Sequence, residues 1–165
     1  MFTDRIGVGG GGVAFRIRPV EWFAIDIGAG IYGGQDYQGA ARWEVPVVAD
    51  LLFFFNPRDR FQLYALVGAG VSVGQQGSYT RDRFGDREFI ASRDLAYVGG
   101  EAGLGLEWRV GRHFALNLDL RGFLREQVAS PSPEFVEVVG GRTRSTNTSG
   151  GFMANVGMTF YFVGL

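Results

Sequence analysis

The chain has no cysteine, no lysine, one histidine and no long uninterrupted apolar run. Without cysteine there is no disulfide framework, thiol nucleophile or thiolate metal centre. The lone histidine, His113, leaves histidine-rich metal sites out of reach and gives general acid–base chemistry one imidazole to work with. The longest apolar stretch, Val45 to Phe55, is broken by Asp50. It falls well short of the roughly 20 residues of a membrane-spanning helix. A formal net charge of −1, with basic residues scattered along the chain, provides no field for gathering nucleic acid, so no nucleic-acid partner is expected. All 16 basic side chains other than His113 are arginine, a bias that a GC-rich genome explains as readily as a need for forked, permanently charged groups.

Glycine and aromatic residues are abundant: 27 Gly, 15 Phe, 6 Tyr and 3 Trp in 165 residues. That pairing disfavours helix and suits strands, and the length suits one domain spanning residues 1–165. Period-two alternation runs through the whole chain. It predicts seven strands, at Ile6–Ile17, Trp22–Gly33, Arg42–Phe55, Phe61–Gln75, Asp94–Val110, His113–Gln127 and Ser149–Phe162. In His113–Gln127, for example, Phe114, Leu116, Leu118, Leu120 and Leu124 alternate with Asn117, Asp119, Arg121 and Arg125. Short links at Arg18–Glu21, Asn56–Arg60 and Val110–Arg112 alternate with long ones at Gln35–Ala41, Gln76–Arg93 and Val128–Thr148. The two longest are expected to extend as hairpins, Phe135–Val139 leading into a Gly140-Gly141 turn. Pro46 removes a ladder donor from the middle of its strand and predicts a bulge or a missing hydrogen bond.

An alternating pattern of this kind fits an antiparallel up-and-down transmembrane β-barrel, apolar outside. It equally fits a soluble lipocalin-like ligand-binding barrel, apolar inside. The strand ends discriminate. At the short-turn end the apolar faces carry Phe15, Phe23, Phe53, Phe55, Phe61, Trp108, Phe114, Phe160 and Phe162, a layer expected of a girdle at a membrane interface. Lipid is thus the expected partner of the apolar face. On the other face, Arg16, Arg42, Arg109, Arg121 and Arg125 nearly balance Asp26, Glu44, Asp50, Glu101, Glu107 and Asp119, interspersed with Gly. Such charges persist in a narrow interior only when paired. A three-residue turn setting Arg109 against His113 places Glu101 directly opposite Arg121 and predicts an ion pair there.

Asn155, Gly157, Phe160 and Phe162 are spaced as polar, any, Gly, any, any, aromatic, any, aromatic. This resembles the C-terminal β-signal of bacterial outer-membrane barrels, and with the strand pattern the chain resembles the small eight-stranded family of OmpA-like and OmpX-like transmembrane domains. The resemblance implies a Gram-negative outer-membrane location, the barrel-assembly machinery as a partner during biogenesis, and porin-like architecture without porin-like conduction. Two departures stand out: Val163, Gly164 and Leu165 follow the last aromatic, and seven strands is one short of the even number such barrels use. A signal peptide and a first strand are therefore expected before Met1.

The function expected from these features is noncatalytic, in envelope integrity or surface interaction through the long loops, with no cofactor. Small barrels of this kind also include lipid A-modifying enzymes, but no Ser and acid are placed beside His113 for nucleophilic catalysis. A narrow pore is the remaining alternative, and an eight-stranded interior is only about wide enough for its own side chains. Thr80–Glu88 lacks the ligand alternation of a calcium loop, and Gly9–Gly12 lacks the Lys-Ser/Thr of a phosphate loop.

Overall fold

The computed structural model describes residues 7–35, 41–81, 87–129, 135–139 and 142–161. These form strands and turns and no helix. Seven antiparallel strands follow one another around a single curled sheet: β1 (Gly7–Val20), β2 (Phe23–Gln35), β3 (Ala41–Phe54), β4 (Phe61–Arg81), β5 (Arg87–Arg109), β6 (Phe114–Gln127) and β9 (Thr148–Phe160). Between β6 and β9 the chain makes a separate two-stranded hairpin, β7 (Phe135–Val139) with β8 (Arg142–Thr146). The seven-strand up-and-down order matches the alternation in the sequence. β4 and β5 continue past their expected ends to pair as far as Arg81 and Arg87, the hairpin extension expected of the Gln76–Arg93 link. Residues 140 and 141, the expected turn between β7 and β8, lie outside the described residues, as does most of the Thr80–Glu88 tip.

Two local expectations are refined. Pro46 produces no bulge. The β2–β3 ladder lapses where Gly30 and Ile31 face Val45 and Pro46, then resumes at Tyr32 and Glu44 in unchanged register. A missing donor costs the ladder its local bonds without adding a residue to either strand. β1 runs past Ile17 through a register shift between Ile17 and Val20, so the first turn narrows to Glu21 and Trp22. The β5–β6 register also differs from the one expected. Arg109 faces Ala115, and Arg121 faces Gly103 instead of Glu101, because the turn spans Val110 to Phe114, closed by Phe114 O accepting from Val110 N at 3.0 Å and from Gly111 N at 3.2 Å. The displacement is two residues. Two residues is one full side-chain period, so every side chain keeps its face.

Curling is forced by reach. Flat neighbours lie about 4.8 Å apart, which would separate β3 from β6 by about 14 Å and β1 from β5 by about 19 Å. Yet Arg121 on β6 is 2.7 Å from Asp50 on β3, and Arg16 on β1 is 2.5 Å from Glu107 on β5. The sheet therefore wraps around an interior that these side chains cross. Among the described residues the edges of the sheet are β1 and β9, and six successive antiparallel steps leave them running in the same direction.

Candidate functional site

The interior-facing side chains are polar, charged and largely buried, while the outward faces are apolar and exposed. Phe152 is 94% exposed, Val156 84%, Leu104 66% and Leu120 65%, whereas Glu107 is wholly buried. A lipocalin-like barrel carries its apolar face inside, the reverse of the faces of this sheet.

All eleven charged residues named on the polar face point inward and fall into three tiers. At the turn end Arg16 grips Asp26 with two bonds of 2.6 Å and reaches Glu107 at 2.5 Å. The Glu107 carboxylate also accepts from the Tyr161 hydroxyl at 2.8 Å and 2.9 Å, and from Arg109 Nε at 3.4 Å. Half-way up, Arg121 binds Asp50 at 2.7 Å, Asp119 at 2.6 Å and Glu101. Asp119 in turn accepts from the Tyr64 hydroxyl at 3.1 Å and from Asn155 Nδ2 at 2.9 Å. The predicted Glu101–Arg121 pair is thus present, but diagonally, reached by a long side chain across the displaced register. Toward the loop end, Arg125 binds Glu44 at 2.5 Å, and Arg42 binds the same carboxylate and the Tyr97 hydroxyl, the latter at 2.6 Å. Both guanidinium groups lie over the Tyr97 ring, 4.2 Å (Arg125) and 5.3 Å (Arg42) from its centroid.

Small residues make these tiers fit. A Cβ at Gly105 would sit 2.2 Å from the Tyr64 ring, and one at Gly68 would sit 1.8 Å from Asp50 Oδ1. Neither position admits alanine without moving a buried partner.

The interior also holds apolar residues that the alternation did not single out, beside Gln62 and Tyr64, which it set on the polar face of Phe61–Gln75. Ala24, Leu52, Phe54, Tyr64 and Leu66 form a buried apolar cluster at the turn end. Arg18 lies over Phe54, 3.9 Å from the ring centroid, and donates to Gln62 Oε1 at 3.0 Å. Gln62 donates back to the carbonyls of Pro57 and Asp59 at 2.6 Å and 2.9 Å, closing the floor of the interior. The signal for this plug was the unbroken run from Leu51 to Phe55, where alternation fails because both faces are apolar.

On the outside, aromatics pair across strands at the turn end. Phe23 meets Phe53 with ring centroids 5.3 Å apart, Phe61 stacks on Trp108 at 5.6 Å, and Phe114 faces Phe160. Phe55 belongs to the same end and is 68% exposed. Phe15 stands higher, opposite Ile27 on β2, four residues along from Phe23. Trp22, in the first turn and 57% exposed, adds a ring that the strand pattern had not placed there. Of the terminal motif, Asn155, Gly157 and Phe160 lie on β9, and Phe162 lies outside the described residues. Gly157 faces inward with open space where a Cβ would stand. His113 is an exposed turn residue whose Nδ1 is 2.9 Å from the Tyr161 carbonyl and whose ring stacks on Phe160 at 6.2 Å.

No known protein family, curated protein or solved structure matches this chain.

Proposed function

We propose that the protein is a noncatalytic, membrane-spanning β-barrel of the bacterial outer membrane, similar to the OmpA-like and OmpX-like domains, that serves the envelope through its long loops. The observation that carries this reading is the inversion of the two faces: an exposed apolar exterior around a buried, ion-paired interior. Soluble monomers rarely expose contiguous apolar patches beyond a few hundred Å². Here apolar side chains stand exposed along all seven strands of the sheet. The aromatic layer at the turn end suits the headgroup boundary, and the Asn155, Gly157 and Phe160 positions suit recognition by the barrel-assembly machinery. With Arg side chains crossing the interior at three levels, the barrel reads as a plugged cylinder.

Leu120 tests the lipid-facing assignment. It lies half-way along β6, 65% exposed on the outer face, between Leu104 and Ala154 on the neighbouring strands. Leu120→Arg is expected to cost about 2–4 kcal/mol in unfolding from phospholipid vesicles, as charges at a bilayer midplane do. A loss of about 0.5 kcal/mol or less, the ordinary value for a water-exposed surface, would contradict the assignment.

Closure is part of the same reading. β1 and β9 run the same way, so joining them directly would create a parallel seam in an otherwise antiparallel sheet. One further strand, antiparallel to both, completes an eight-stranded barrel and covers two long unpaired edges. The intact mass of the barrel isolated from its native membrane, with any peptide bound to it, is expected to exceed the 18.0 kDa of these 165 residues by at least a strand of about 9–11 residues. A folded native barrel of 18.0 kDa with nothing attached would overturn the closure.

A further inference from the structure

We propose that the short-turn end carries a phosphate-binding site formed by Arg60, Arg109 and Arg112. Three separate chain segments converge there. The β3–β4 turn is tied to the end of β5 by Arg109 N donating to the Arg60 carbonyl at 2.8 Å. The residue after β9 is tied to the β5–β6 turn by Tyr161 N donating to the His113 carbonyl at 2.9 Å. Between them lies a cleft of about 280 Å³ lined by Arg60, Arg109, Val110, Gly111, Arg112 and Tyr161. That volume is below the roughly 300–1,000 Å³ of clefts that take drug-sized molecules. A single anion or one headgroup is the appropriate scale.

Among the described residues the charges of the cleft are not answered. Among the described residues neither Arg60 nor Arg112 has a carboxylate partner. Arg109 spends its Nε on Glu107 at 3.4 Å, and its Nη2 is buried without a hydrogen-bond partner. Glu107 does not neutralise the cleft, because Arg16 already holds that carboxylate at 2.5 Å and Tyr161 donates to both of its oxygens. Of the acids of the nearby turns, Glu21 pairs with Arg58 at 3.1 Å, and Asp59, which accepts from Asn56 Nδ2 at 2.9 Å, makes no ion pair with Arg60 or Arg112. Two unmatched guanidinium groups beside a third, Arg109, whose one carboxylate partner is already held by Arg16, call for a compact oxyanion. Phosphate suits it best, since its oxygens accept the paired N–H groups of arginine and its charge offsets more than one of them. The open space at Gly111 lets the anion approach the turn backbone.

Two sources offer this chemistry, the phosphodiester of a lipid headgroup and free phosphate. The first arm of the test titrates inorganic phosphate into the full-length native protein in zwitterionic detergent, following the backbone amides of Gly111 and Arg112 by NMR. Saturable shifts are expected, weakened at least tenfold by Arg60→Gln combined with Arg112→Gln and unchanged by Arg58→Gln. Arg60 and Arg112 are exposed turn residues, so heat-modifiable gel mobility should show the double variant folded. The second arm extracts protein from phosphatidylcholine vesicles containing phosphatidylglycerol and weighs it by native mass spectrometry. Phosphatidylglycerol retained by the wild type and lost from the double variant assigns the site to a lipid headgroup. Phosphate binding without lipid retention assigns it to the free anion. No shift with phosphate together with no retained lipid, or undiminished binding in the folded double variant, would overturn the site. Neither arm depends on how β1 and β9 are closed.

Discussion

Replacing Arg121 by leucine is expected to destabilise the barrel by about 3–5 kcal/mol, the largest effect of any single interior substitution. Arg121 holds three carboxylates, Asp50, Glu101 and Asp119, each no more than 8% exposed at the side chain. They come from β3, β5 and β6, so the guanidinium is also the tie across the middle of the curled sheet. Removing it strands three like charges in one buried space. Leucine restores packing but accepts none of that charge, which makes the loss one of uncompensated ions more than of volume. Part of the loss should return when Glu101→Gln is added to Arg121→Leu, since one of the three mutually repelling charges is then gone. A coupling of about 0.5–3 kcal/mol is the range for residues sharing a network. Denaturant-induced unfolding from vesicles measures both. A loss below about 1 kcal/mol for the single variant, or strict additivity in the pair, would show that the middle tier does not hold the fold together.

Glu107→Ala is expected to follow, at about 3 kcal/mol, the lower end of the range for a broken buried pair. The carboxylate is wholly enclosed and is approached by Arg16, Arg109, the Tyr161 hydroxyl and, at 3.7 Å, Arg18. The effect is smaller than at Arg121 for a specific reason. Arg16 keeps its two 2.6 Å bonds to Asp26 and Arg18 its 3.0 Å bond to Gln62 when Glu107 is removed, so the groups left without a partner are Arg109 and Tyr161. Glu107→Gln keeps an acceptor for the Tyr161 hydroxyl and should recover part of the loss, because a hydrogen bond survives while the ion pairs do not. Equal losses for Ala and Gln would mean that charge alone matters at this level. No loss for either would mean that the turn-end tier is idle.

The outer aromatics and the inner plug at the turn end carry different lessons about legibility. The exterior rings were readable because each occupies an apolar position of an alternating strand, and its height follows from the adjoining turn. Phe15 is the exception. The shift between Ile17 and Val20 lengthens β1 and lifts Phe15 away from the layer. In the inner cluster Tyr64 fell on the polar face of its strand, but Leu52, Phe54 and Leu66 were not readable in that way, since an apolar residue in a polar-face position looks like a break in the pattern until the facing strands are known.

What the sequence determined by itself was the number of strands in the sheet, their order and the face of the eleven charged residues of the alternating pattern, because side chains alternate with a period of two; Arg18, assigned to a turn, was the charged residue it did not place inside. Even a turn misjudged by two residues leaves Glu101 and Arg121 on the same face, close enough to pair diagonally. What only the tertiary structure decided was which charge answers which across the interior. Arg16 with Glu107, Arg121 with Asp50 and Arg125 with Glu44 join strands three or four places apart. Those distances are set by how tightly the sheet curls and how far its strands are staggered, neither of which any single strand encodes. The unmatched arginines at the turn end belong to the same class, since Arg60 and Arg112 become neighbours only when two turns and the end of β9 meet.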